Sequence, residues 1–219
     1  MTGFDHFSKD ALTFLSDLKS NNTRDWFAQH RKTYETEVRE PAKDFADQMS
    51  DALGELTGQT HAAKIYRINR DIRFSKDKTP YNTHIHISFA PASDQPSPPM
   101  WFFGLSPDKL SLGCGVFQYD KESLERFRTA MAGPDGAALI RLADALEAQG
   151  LRVSAPDLKR VPPGFDAAHP HEAALRRKGF SGWKDLEHPD FVTKPNLTAR
   201  TVEEMTALRP IYDLLSNLS

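Results

Sequence analysis

Thr83-His84-Ile85-His86-Ile87-Ser88-Phe89 alternates polar and apolar side chains from His84 onward. A period of two in β-branched and aromatic residues is the pattern of a strand with one buried face. Ile85, Ile87 and Phe89 fall on the face that packs, and His84, His86 and Ser88 on the face that looks outward or into a cleft. Downstream, Met100-Trp101-Phe102-Phe103-Gly104-Leu105 and Lys109-Leu110-Ser111-Leu112-Gly113-Cys114-Gly115-Val116-Phe117 have the same strand character, joined by the tight turn Ser106-Pro107-Asp108. Four prolines (Pro91, Pro96, Pro98 and Pro99) mark the stretch between as an exposed loop, because proline cannot feed a sheet ladder. Upstream, Lys64-Ile65-Tyr66-Arg67-Ile68 adds another strand. The three consecutive strands from Thr83 to Phe117 have short connections that predict an antiparallel meander.

Helical periodicity frames this centre. Phe4, Phe7, Ala11, Leu12, Leu15 and Leu18 fall on spacings of three and four, one apolar stripe. Asn21-Asn22-Thr23 stops that helix and supplies a cap for a second, which carries Trp26, Phe27, His30, Tyr34 and Val38. Pro41 is expected to interrupt it and restart a turn, after which Phe45, Met49 and Leu53 continue the apolar face. Helical pattern returns over 121–131 and 137–148, with Gly150 as a stop, and briefly over 173–178. Ser181-Gly182-Trp183 reads as loop, with Trp183 partly exposed. Thr201 and Glu204 form a capping-box spacing that predicts the start of a final helix, which Pro210 divides. The expected fold is α+β: an antiparallel sheet of about four to six strands packed with helices. It is read as a single domain over 1–219, helical over 1–60, strand-rich over 64–118 and mixed helical over 120–219.

Composition narrows the function classes. The 219 residues carry 39% hydrophobic and 26% charged side chains, ordinary for a globular protein, and no apolar run is long enough to cross a bilayer. The first residues lack the basic and apolar regions of a secretory leader, so a cytoplasmic location and no membrane partner are expected. One cysteine, Cys114, excludes an internal disulfide and cysteine-rich zinc motifs; its spacing with Leu110, Leu112 and Val116 places it in the core. The net charge of −2 gives no global attraction to nucleic acid, and none is predicted as a partner.

Charge is nevertheless uneven. Residues 64–86 hold six Lys/Arg and two Asp, a local balance of +4, so the rest of the chain carries −6. Within that island, Arg70-Asp71-Ile72-Arg73-Phe74-Ser75-Lys76-Asp77-Lys78-Thr79-Pro80-Tyr81 interleaves cations, carboxylates and a hydroxyl. Together with Phe14-Leu15-Ser16-Asp17-Leu18, Asn21-Asn22-Thr23-Arg24-Asp25-Trp26-Phe27 and Lys159-Arg160-Val161-Pro162-Pro163-Gly164-Phe165, this segment resembles a family of bacterial and fungal proteins catalogued as a domain of unknown function. His169-Pro170 and Leu175-Arg176-Arg177-Lys178-Gly179-Phe180 extend the resemblance over nearly the whole chain. It implies an α+β domain and carries no catalytic assignment.

Three functional readings follow from the island. In the first, a small anionic ligand bearing phosphate or carboxylate is held by Arg67, Arg70, Arg73, Ser75, Lys76, Lys78, Tyr81 and His86, since guanidinium forks and ammonium groups suit such oxygens. In the second, a hydrolase or phosphotransfer-type enzyme uses Asp71 or Asp77 as base or metal ligand, with His84 assisting. In the third, the acids and bases pair with one another and the segment is a structural salt-bridge network in a non-catalytic interaction module. His84 and His86 could begin a divalent-metal set, but no third ligand stands at a fixed spacing, so no metal and no cofactor is predicted. Oligomeric state is not legible.

Overall fold

The computed structural model describes residues 4–187 and 189–218. Six strands, β1 (His61–Ile65), β2 (Ile85–Pro91), β3 (Met100–Leu105), β4 (Lys109–Val116), β5 (Arg152–Val153) and β6 (Phe180–Glu187), make an antiparallel sheet in the order β1-β2-β3-β4-β6-β5. β2, β3 and β4 are the three-strand meander expected from their short connections, whereas the strand expected at 64–68 forms three residues earlier as β1 and joins β2 through a longer segment. With helices before, between and after them, the fold is α+β, as the sequence predicts. By contact density the chain falls into two units. One comprises 1–89, 102–111 and 186–204; the other comprises 90–101, 112–185 and 205–219.

In the first unit, α1 (Lys9–Ser20) begins at Ser8, whose hydroxyl accepts from the Ala11 N–H at 3.1 Å. The predicted stripe therefore enters the helix only at Ala11, with Phe4 and Phe7 ahead of its start. Helix α2 (Arg24–Thr33) is capped by Thr23, as its sequence suggests. Phe45, Phe7 and Phe103 form the centre of this unit's core, with Phe45 and Phe103 ring centroids 4.6 Å apart.

Pro41 does not interrupt the chain's helical path. A π-helical turn, Tyr34–Arg39, links α2 directly to α3 (Glu40–Thr57), and the Glu40 N–H bonds to the Glu35 carbonyl, five residues back. Proline lacks an N–H and crowds the carbonyl four residues before it. Here the ladder is already displaced by one residue when Pro41 arrives, so the proline sits in the first turn of α3 without breaking the helix.

In the second unit, α4 (Lys121–Ala132) starts at Asp120, which accepts from the Glu122 and Ser123 N–H groups at 3.0 Å. Helices α5 (Pro134–Ala148) and α6 (Glu172–Leu175) follow. Ser181-Gly182-Trp183, read from sequence as loop, lies instead in β6, paired with β5 through Arg152–Trp183 and Val153–Gly182. The half-buried Trp183 ring lies where a Cβ on Gly113 would be, 2.6 Å from its ring atoms. Gly115, at φ +135°, brings its backbone so close to the Phe180 carbonyl that a Cβ would strike the oxygen. Glycine and serine here serve close strand packing rather than a turn. Cys114 is fully buried, and burial pushes its thiol pKa well up.

Helix α7 (Leu197–Met205) starts four residues before Thr201, so the Thr201–Glu204 spacing is not its N-terminus. Thr201 is buried, with no hydrogen-bond partner for its hydroxyl among the described residues. Pro210 does divide the end of the chain: a 3₁₀ turn, Thr206–Leu208, precedes α8 (Arg209–Ser216), with the proline in its first turn.

Candidate cationic cleft

Residues 66–86 form a hairpin that extends β1 and β2. The Tyr66 N–H donates to the His86 carbonyl, Asn82 to Ile68 and Arg70 to Pro80, at 2.7–2.9 Å, with Asn69 and Tyr81 paired across the two arms. Ile68 and Tyr81 turn inward and are buried, which fixes the register of both arms. Tyr81 stacks on Phe27 at 4.2 Å, and its backbone is gripped by Asn22, which donates to the Tyr81 carbonyl at 2.9 Å and accepts from the Tyr81 N–H at 3.1 Å. Asn22 thus ties the hairpin to the α1–α2 connection.

The tip, 71–79, is held by side chains rather than by a ladder. Arg70 donates to Asp77 at 2.6 Å, to the Thr79 carbonyl at 3.0 Å and to the Thr79 hydroxyl. Asp77 also accepts from the Thr79 N–H at 2.9 Å; that bond first, then Arg70, brings its pKa down to about 2. Arg73 forks onto Asp71 at 2.7–3.2 Å and lowers the Asp71 pKa. Lys78 donates to the Ile72 carbonyl. Both carboxylates are therefore committed to cations or N–H donors inside the segment and are held in their weakly basic form. Phe74 stands at the apex, 96% exposed.

Two clefts flank the hairpin base. The smaller, about 380 Å³, is lined by Arg67, Arg70, Asp71, His84 and His86, with Tyr66 and the carboxamides of Asn69 and Asn82. The arms place Arg67 and Arg70 beside both histidines, which share a face as their spacing of two implies, and His86 stacks on Tyr66 at 4.5 Å. Ser88, assigned to the same outward face, is instead buried and donates to the Tyr66 hydroxyl at 3.4 Å. His84 keeps an exposed edge, yet the atoms crowding both rings lower their pKa values below the ordinary imidazole range; His84 adds a smaller depressing effect on His86. Arg73, Ser75, Lys76, Asp77 and Lys78 line neither cleft.

The larger cleft, about 790 Å³, shares Tyr66, Arg67 and Asn69 with the smaller and also takes in Tyr81. Its other wall comes from the long helical segment: Arg24, Phe27 and Arg31 from α2, Tyr34, Glu35 and Arg39 from the π-turn, and Lys43 from α3. Sequence reasoning did not find these residues. In one dimension they are charges spaced along helices, and only their spacing of three to four residues hints that they share a face. Among the described residues no three His, Cys, Asp or Glu side chains gather as a cation site.

An α+β chain with a hairpin-borne cationic cleft is the class these features define. Residues 10–214 match the DUF2461 family of conserved hypothetical proteins, and the chain belongs to that family. No curated protein matches it. No helix is long and apolar enough to cross a membrane among the described residues.

Proposed function

We propose that the protein binds a small phosphate- or carboxylate-bearing ligand in the smaller cleft, as a cytoplasmic protein. The observation that supports this most directly is the lining itself. Arg67 reaches the cleft with no carboxylate within ion-pair distance among the described residues, beside Arg70, two imidazoles and two carboxamides. The acid that lines it, Asp71, pairs with Arg73 at 2.7 Å and only weakly feels the Arg67 charge. An unpaired guanidinium with neutral donors around it is a ready anion site.

The depressed pKa values of Asp71 and Asp77 argue against either as a general base near neutral pH, so binding fits the geometry better than the hydrolase reading. Isothermal titration with pyrophosphate and with citrate tests the proposal. Binding that is lost in Arg67→Ala and retained in Arg73→Ala is expected. Absence of binding, or loss in Arg73→Ala alone, would reject it.

A further inference from the structure

The larger cleft has a composition that a bare anion does not need. Arg24, Arg31, Arg39, Lys43 and Arg67 line it against a single carboxylate, Glu35. Glu35 is itself taken by Arg39 at 2.6 Å, with Arg31 at 3.9 Å, and Lys43 pairs with Glu40 at 2.7 Å, while Arg24 has no ion-pair partner among the described residues. The same lining holds the aromatic side chains of Phe27, Tyr34, Tyr66 and Tyr81, of which Tyr81 is buried against Phe27 and Tyr66 carries His86 on its ring. Tyr66 is 39% exposed, and its neighbour Ile65 is 37% exposed. Exposed apolar surface of this kind beside unpaired guanidinium groups calls for an occupant with both a planar apolar face and negative charge. The volume suits a small organic molecule rather than a bare oxyanion.

We infer that the anion of the proposed function belongs to a nucleotide, whose base lies in the larger cleft and whose phosphates lie between Arg67 and the histidine cleft. The inference rests on that functional reading and deepens it. The three residues common to both clefts make one continuous lining, so a single molecule can present its ring to one and its charge to the other. A single-stranded nucleic acid shares this chemistry, but a chain with net charge −2 and a local cluster, rather than a long basic stripe, favours a monomeric ligand.

Calorimetric titration of the full chain with ATP, adenosine, inorganic tripolyphosphate and a ten-nucleotide thymidine oligomer tests this. ATP is expected to bind about tenfold tighter than tripolyphosphate, the increment of a ring stacked on aromatic side chains, and adenosine to bind weakest. Arg31→Ala and Arg24→Ala, both at exposed positions, should weaken ATP with the circular-dichroism spectrum unchanged. Tripolyphosphate binding as tightly as ATP would remove the ring from the site and leave anion binding standing. No binding of ATP or tripolyphosphate would overturn both readings. ATP affinity unaffected by either arginine, or oligomer binding that ATP does not compete away, would also overturn the nucleotide assignment.

Discussion

The hairpin tip at 71–79 and the packing of β4 against β6 both draw on sequence rich in small or polar residues, yet they are held in opposite ways. The tip is exposed, and its shape comes from charged side chains reaching back to backbone and hydroxyl groups, with Arg70 at the hub. At Gly113 and Gly115 the shape comes from the absence of side chains, which lets Trp183 and the Phe180 carbonyl close in. Polar lattices in solvent yield gradually when one bond is lost. Close-packed backbone tolerates no added atom.

The comparison is sharpest at Gly115. Gly115→Ala places a methyl on the Phe180 carbonyl at a backbone angle that L-residues avoid, and a loss of about 3 kcal/mol or more is expected in urea denaturation. A loss below about 1 kcal/mol would show that the strand pair has slack, and the contrast with the tip would fail. Arg70→Ala should cost less, about 2 kcal/mol, because the guanidinium is partly solvated and water replaces some of its bonds. Its signature is regional: faster amide exchange over 68–82 with the rest of the molecule protected as before.

Protonation offers a third test. His61, His84 and His86 all have depressed pKa values in the folded protein, chiefly through desolvation. The unfolded chain therefore binds protons more readily, and stability should fall as pH drops through and below about 6.5. Pyrophosphate should oppose that fall, because protonated imidazoles in the cleft attract the anion. Its affinity should accordingly rise over the same window. A melting temperature flat between pH 7 and pH 5, with affinity equally flat, would separate the histidines from the ligand.

The smallest effects are expected at the apex. Phe74→Ser should leave the melting temperature within error, since the ring is almost wholly in water. Arg73→Ala, at the exposed Asp71 pair, should behave alike. A marked loss in either would mean that the tip is structurally closer to the glycine region than its exposure implies.

Much of the fold was legible where a single period governs a segment. The Ile85, Ile87 and Phe89 alternation and the aromatic run 101–103 identify central strands because nothing competes with that pattern. Gly182 was misleading because glycine signals a turn far more often than a close strand contact, and Gly113 lies 70 positions before the Trp183 that requires it. Thr201 resembled a cap because the Ser/Thr-x-x-Glu spacing also occurs inside helices, where tertiary burial decides. For the candidate cleft, the arms of the hairpin were readable: adjacency in sequence brings Arg67, Arg70, His84 and His86 together. The helical cations were not, since their approach to Tyr66 depends on long-range packing.

The π-turn at Tyr34–Arg39 has a consequence for how this wall could have arisen. A π-turn is an α-helix with one residue too many, and one residue corresponds to about 100° of rotation about the axis. Its wider turn takes up that residue locally, so Arg24, Phe27 and Arg31 before it and Arg39 and Lys43 after it keep the relative phase of an uninterrupted α-helix. Deleting Thr36 would restore a regular ladder and leave both groups on one wall. A single inserted codon can therefore enter this helix without dismantling the wall that its cations make.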